Sequence, residues 1–240
     1  MINLDTASKS RSNCMICNSE IKYENESVNA KCHYCGHEED TRLYCKNGHY
    51  VCNECHSKDS IDIIHTYCLN TAQDNPFEIA ETIMRHQRVP MHGPEHHALV
   101  AATLVTAYQN RVGIQNSENI IEAIKRGKTV PGGYCGYFGA CGASVGAGIA
   151  LSILTEATPL TPEQRSHSMW VTAKTLNEIA DAGGARCCKK AIRLAIGEAT
   201  KYISELFQLE WDNDSTGSFG CEYDILNKEC DSKCLYKKIK

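Results

Sequence analysis

Pairs of cysteines two residues apart constrain this chain more than any other feature. Cys14-x2-Cys17 and Cys32-x2-Cys35 stand either side of a 14-residue gap, the span of a short hairpin, and Cys45-x3-His49-x2-Cys52-x2-Cys55 follows. So short a Cys-rich segment lacks the apolar surface to fold alone. Four thiolates on two tight turns, by contrast, make the tetrahedral site that Zn2+ prefers. Cys14, Cys17, Cys32 and Cys35 read as one ligand set and Cys45, His49, Cys52 and Cys55 as a second, for two zinc ions. Interleaved ligation stays open at this stage, with Cys14 and Cys17 joining Cys52 and Cys55, or with His33, His37 or His56 substituting. A closed four-ligand site has no position for substrate. The segment is therefore expected to be a structural, zinc-ribbon-type module or a docking surface for RNA or a protein. It lacks the regular basic and aromatic interleaving of nucleic-acid readers.

Charge and targeting narrow the setting. A net charge of −4, with 22% charged and 42% apolar residues, argues against bulk electrostatic capture of nucleic acid or anionic lipid. Residues 1–13 are polar and carry no secretory h-region. CxxC pairs without such a signal point to metal thiolates in a reducing cytoplasm rather than to disulfides. The longest apolar run, residues 139–154, is mostly Gly and Ala and reads as a buried helix, not a membrane span. A cytoplasmic protein without membrane contact is expected.

From Asn75 the periodicity becomes helical. Pro76 suits the first helical position, and Phe77, Ile79, Ala80, Ile83 and Met84 share a face. Further helices are expected from Pro94 through Tyr108, from a Ser117 cap to Gly127, over about 140–154, from Thr161 to about 182, and from Arg186 to about 209. The fold class is mainly α: an all-α core over 75–212, preceded by the metal module over 1–74 and followed by a Cys-containing tail over 213–240. No GxxxxGK[ST] or GxGxxG loop is present, so nucleotide chemistry by this chain is not expected.

The chemistry is expected in the glycine-rich elbows. Pro131 to Gly148 carries seven glycines, each disfavouring a helix by roughly 1 kcal/mol relative to Ala. In return glycine permits close backbone approach and positive φ, as a turn around a cluster or anion requires. Cys141 lies near one expected helix start and Cys187 and Cys188 near another, where free N–H groups and the helix dipole favour thiolates. His92, Glu95, His96 and His97 open a third. Three thiols, Cys135, Cys141 and either Cys187 or Cys188, suit a [4Fe-4S] cluster with one iron open. Zinc and metal-free thiol chemistry at Cys187 and Cys188 are the competing readings. His92, Glu95, His96 and Cys188 are the catalytic candidates, a histidine moving protons and Glu95 orienting it. Arg186, Lys189 and Lys190 would bind an anion or face solvent. The tail thiols Cys221, Cys230 and Cys234 are one short of a closed site, which Cys68 could complete; a flexible, metal-free tail is the plainer expectation.

Cys45-x3-His-Tyr-Val-Cys-x2-Cys55-His, Pro90-Met-His-Gly-Pro-Glu-His-His97, Gly-Gly-Tyr-Cys135-Gly-x2-Gly-Ala-Cys141-Gly-Ala and Gly-Gly-Ala-Arg-Cys187-Cys188-Lys resemble an uncharacterised cysteine-rich family of anaerobic prokaryotes, a domain of unknown function. Residues 140–148 and 179–189 are similar to the two cluster-binding segments of oxygen-sensitive cysteine desulfidases and serine dehydratases, all-α iron–sulfur lyases whose open iron acts as a Lewis acid. That resemblance implies Cys141 and Cys187 as ligands. The lyases space the paired cysteines of the second segment several residues apart. Here they adjoin, Gly183 holds the earlier position, and Cys135 would supply the third ligand.

The expectation is thus an oxygen-sensitive [4Fe-4S] enzyme of sulfur transfer or carbon–sulfur cleavage, a sulfurtransferase or lyase. Its cluster would be held by Cys135, Cys141 and Cys187 or Cys188, and its substrate would be a small sulfur-containing compound or sulfide. A non-enzymatic zinc or iron–sulfur adaptor or cluster carrier, and a thiol redox protein, are the alternatives.

Overall fold

The computed structural model describes residues 14, 16–17, 19–52, 55, 59–211 and 220–237. The segment read for a secretory signal, residues 1–13, and His56 lie outside them.

The module is built on one hairpin. Strand β1 (Ile21–Lys31) pairs antiparallel with β2 (Glu38–Cys45), Ile21 facing Cys45 at one end and Lys31 facing Glu38 at the other, with an irregularity between Tyr23 and Val28. The Cys32–Cys35 knuckle is the hairpin's turn. Gly36 closes it at φ 72°, its N–H donating to the Cys32 carbonyl at 2.9 Å.

The remainder is helical, as the periodicity implied. Among the described residues the α-helices are α1 (Ser60–Asn70), α2 (Pro76–Arg85), α3 (Glu95–Val112), α4 (Ser117–Lys128), the single turn α5 (Tyr134–Tyr137), α6 (Gly142–Leu154), α7 (Pro162–Asp181) and α8 (Cys188–Phe207). Asp59 caps α1, and Asn75 caps α2 by accepting from Phe77 and Glu78 N–H. Asn116, not Ser117, caps α4, its side chain accepting from the Glu118 and Asn119 N–H groups, while Ser117 is the first residue of the helix. Helix α1 escaped the sequence reading because it follows the cysteine pairs directly. It packs on α3 and α4 as part of the helical core.

Helix α3 runs through the centre, against α1, α2, α4, α6 and α8, and Ala98 to Val105 are almost wholly buried. Small residues let its neighbours come close. A Cβ added at Gly127 of α4 would lie 2.4 Å from the Ala98 Cα, one at Gly146 of α6 2.6 Å from the His97 carbonyl, and one at Gly148 2.1 Å from Thr172 of α7. The glycines expected to serve a site therefore divide. Gly133 and Gly139 make left-handed turns, at φ 84° and 67°, whereas Gly142, Gly146 and Gly148 let α6 pack. No helix of the described residues is long and apolar enough to cross a membrane.

Two fasteners tie the ends to the core. Tyr34, in the hairpin turn, is 1% exposed; its hydroxyl donates to the Thr82 carbonyl at 3.3 Å, and its ring meets those of Tyr67 and His86. His33 stacks on Tyr67 beside it. At the other end, residues 220–237 fold back over α8, where the Arg193 guanidinium lies over the rings of Tyr236 (4.9 Å) and Tyr223 (5.9 Å). Arg193 is itself held by a buried bidentate pair with Glu81, at 2.5 and 3.0 Å.

Candidate metal centres and thiol sites

Hairpin geometry decides the ligand sets of the module. An antiparallel pair brings its two open ends together, so the knuckle before β1 meets the residues after β2. Cys14, Cys17, Cys45 and His49 form one group and Cys32, Cys35, Cys52 and Cys55 the other, with all ligand atoms of a group within 4.8 Å of one another. The sets are cross-braced, not consecutive as the order along the chain suggests. Sulfurs 3.8 Å apart (Cys17 and Cys45) and 3.7 Å apart (Cys35 and Cys52) match the separation of about 3.8 Å that 2.3 Å Zn–S bonds impose on a tetrahedron. His49 Nδ1 lies 3.4 Å from the Cys45 sulfur. Backbone N–H groups of Ile16 and Asn47 donate to the sulfurs of Cys14 and Cys45, two residues back, each at 3.4 Å. Burial pushes the Cys14 and Cys52 thiols up to about 11. Burial opposes ionisation at Cys17 as well, but hydrogen bonds from Ser19 and Asn47 outweigh it and hold that thiol at about 6. Deprotonating a whole set calls for a cation among the sulfurs. Both groups could hold a metal ion, and their donors are compatible with zinc.

In the core, helix starts assemble a second set of thiols. Cys141 is the N-cap of α6, Cys187 that of α8, and Cys188 the first residue of α8. Burial raises the Cys188 thiol; the Gly93 N–H donated to it works the other way, and the neighbouring Cys141 and Cys135 sulfurs raise it again. Burial likewise raises Cys141, against N–H groups of Ala143 and Ser144 and alongside Cys135. Cys135, Cys141 and Cys188 are thus electrostatic neighbours, with Cys135 exposed in the α5 turn. Among the described residues their three sulfurs do not lie within 4.8 Å of one another, so they are neighbours on two helix starts and a glycine elbow and not a closed ligand set.

The histidines of the Pro90–His97 segment separate into roles. His96 is 1% exposed, its Nδ1 lying 2.8 Å from Glu95 Oε1 and 3.0 Å from the Gly93 carbonyl. Its Nε2 is buried without a partner. Burial holds its imidazole below the ordinary value, so His96 is neutral with the proton on Nδ1, which those two oxygens favour. Gly93 joins this pair to the thiols, its carbonyl facing His96 and its N–H facing Cys188. His97, named in the sequence but given no role there, directs Nδ1 at the Val130 carbonyl (2.9 Å) and rests its ring on Gly142, next to Cys141. His92 faces the tail instead, with Nε2 3.2 Å from Asn227 Oδ1 and 4.0 Å from Glu229.

Cys187 also leaves the Cys135–Cys141 group. It lines a pocket with Cys221, Cys230 and Cys234, and its thiol is raised by burial first and by the nearby Cys221 and Cys234 sulfurs after it. Cys68 does not complete the tail set. It is 2% exposed beneath Thr106 of α3, and burial pushes its thiol to about 12. Lys189 and Lys190 do not face solvent. Lys189 directs its ammonium at the Met84 carbonyl (3.4 Å), and Lys190 donates to the carbonyls of Ala182 and Gly183 (3.3 and 2.6 Å), closing the end of α7.

No curated protein and no solved structure matches the chain. Residues 64–237, from within α1 to the end of the described tail, match the family model of a family of unknown function, DUF5714. That span takes in α2 to α8, most of α1 and both groups of core thiols, and the chain belongs to the DUF5714 family.

Proposed function

We propose that Cys135, Cys141 and Cys188 hold a [4Fe-4S] cluster by three of its irons, and that the protein is an enzyme of sulfur transfer or carbon–sulfur cleavage on a small sulfur-containing substrate or sulfide. The observation that carries this reading is that Cys141 and Cys188, at two helix starts, and Cys135 are electrostatic neighbours, with Gly93 linking Cys188 to the buried Glu95–His96 pair. Three soft thiolates with no fourth protein sulfur suit a cluster that keeps one iron for substrate. When bound, that iron supplies Lewis acidity.

The chain's own groups would do the remaining work. N–H groups of Gly93, Ala143 and Ser144 donate to the sulfurs of Cys188 and Cys141 and offset part of the burial that raises both thiols; ligation would complete their deprotonation. Glu95 and the Gly93 carbonyl keep the proton of His96 on Nδ1, which leaves Nε2 as the base that takes a proton from the substrate. In the cross-braced module, two zinc ions would hold the hairpin turn against α1 and α2. The hairpin strands carry Glu24, Glu26, Glu38, Glu39 and Asp40 against Lys22, Lys31 and Arg42. An acidic surface of this kind favours a protein partner over RNA.

The test is anaerobic purification with iron, sulfide and zinc analysis and EPR of the full chain. Iron and sulfide in equal amounts, about four of each lost in Cys141→Ser, would support the reading and justify substrate trials. Zinc alone after anaerobic reconstitution would overturn it in favour of a non-enzymatic adaptor, and a metal-free core with a reactive Cys188 in favour of a thiol redox protein.

A further inference from the structure

Cys187, Cys221, Cys230 and Cys234 come from distant parts of the chain and line one pocket together with Lys190 and Arg193. The tail is folded to bring them there. Its ends are joined by the Cys221 N–H donating to the Tyr236 carbonyl at 2.6 Å, and Cys230 and Cys234 each follow a tight turn, donating to the carbonyls of Asn227 and Asp231. Arg193 pins Tyr223 and Tyr236, which flank the cysteines. The Tyr223 N–H donates to the Cys221 sulfur at 3.3 Å, the same two-residue pattern that Ile16 and Asn47 make at Cys14 and Cys45 in the module. The Lys190 N–H donates to the Cys187 sulfur at 3.4 Å.

The spacing of these sulfurs differs from that of the module. Among the described residues only the two module groups bring three or more ligand atoms within 4.8 Å of one another. A single zinc ion needs sulfurs about 3.8 Å apart; a cubane of four irons carries its thiolates on its outer corners and spreads them further. Such a centre, with four thiolates, four sulfides and two irons in each oxidation state, has a net charge of about −2. The lining carries the cations Lys190 and Arg193 and the carboxylates Asp224, Glu229 and Asp231, so the four thiolates and the N–H donors to them, not a cationic pocket, would hold such a centre.

The geometry points to a second iron–sulfur site, a [4Fe-4S] centre closed by Cys187, Cys221, Cys230 and Cys234, separate from the three-thiol group and independent of it. Adjacent cysteines then serve different centres, Cys187 facing the tail and Cys188 facing Cys141. A chain with both centres carries two clusters joined through one peptide bond.

The experiment is anaerobic reconstitution of the full chain with Fe2+ and sulfide, followed by iron and sulfide counts and EPR of the reduced protein. It compares the unaltered chain with Cys234→Ser, Cys230→Ser and Cys141→Ser, each checked for folding by far-UV circular dichroism and gel filtration. About eight irons are expected in the unaltered chain and about four in Cys234→Ser, with a broadened, spin-coupled EPR signal that simplifies in the variant. Cys230→Ser repeats the measurement should Cys234→Ser fail to fold. Full iron retention in folded Cys230→Ser or Cys234→Ser would overturn the inference. So would a zinc ion, additional to those of the module, that is lost with Cys234. Loss of iron in Cys234→Ser but not in Cys141→Ser would leave this site standing and remove the three-thiol cluster.

Discussion

Arg193 carries more of the architecture than its place in the sequence suggests. Its guanidinium is paired with Glu81 and lies over two tyrosines of the tail, and both charged side chains are at most 3% exposed. Arg193→Ala leaves the Glu81 carboxylate buried alone, and a destabilisation of about 3–5 kcal/mol is expected. A Glu81→Leu, Arg193→Met double variant should lose far less, the comparison being made from urea midpoints. Gly142 is equally confined. A Cβ there would lie 2.2 Å from His97 Cδ2 and 2.3 Å from Nε2, so Gly142→Ala is expected to cost about 1–3 kcal/mol through overpacking and to displace the imidazole from its Val130 partner, visible as a shifted His97 NMR resonance. His96 supplies a pH dependence. Burial keeps its folded pKa below the unfolded value near 6.5. The unfolded chain therefore takes up the proton first, and the stability from neutral His96 is complete above pH 6.5 and lost as pH falls through the folded value. Urea midpoints at pH 7.5 and pH 5 should drop more for the unaltered chain than for His96→Gln.

At the scale of elements, the hairpin and the glycine-bearing helix show how local geometry selects partners. Because β1 and β2 are antiparallel, a ligand lost at the open end (Cys45) and one lost at the turn (Cys52) affect different ion sites. Cys45→Ser is expected to release one of two zinc ions while leaving the Tyr34 contact with α2; Cys52→Ser should release the other and loosen that contact. Zinc counts, with Tyr34 ring shifts by NMR, separate the two outcomes. Tyr34→Ala should itself destabilise the chain by about 3–5 kcal/mol, since the ring is 1% exposed between Tyr67 and His86. In α6 the mean contribution of Gly to helix formation is unfavourable, yet Gly146 and Gly148 face the His97 carbonyl and Thr172 too closely for any Cβ. Packing on both sides of α6 decides its composition, and that packing holds Cys141 where the start of α8 can reach it.

Across the whole molecule, the core thiols depend on segments far apart in sequence. Cys188 is bonded by the Gly93 N–H with Cys135 and Cys141 as electrostatic neighbours, and Cys187 lines a pocket with a tail that begins more than a helix later. The mainly helical fold, the starts of α2 at Asn75 and of α7 at Thr161, and the eight residues of the module that could hold metal were legible from the chain because each rests on local rules: apolar period, capping chemistry and short ligand spacing. The membership of each ligand set was not. Pairing of Cys14 and Cys17 with Cys45 and His49 follows from strand direction, which spacing along a chain does not encode. Helix α1 was hidden by its nearness to the cysteine pairs, and the glycines of α6 read as a turn around a site because nothing in the sequence says that α3 and α7 lie against them. Likewise the adjacent Cys187 and Cys188 look like one reactive pair on paper. Residue types and their local periods determine which elements form and which atoms can ligate; only the tertiary fold decides which of those atoms meet, because the contacts between them are set by strand pairing, helix packing and the return of the tail across α8.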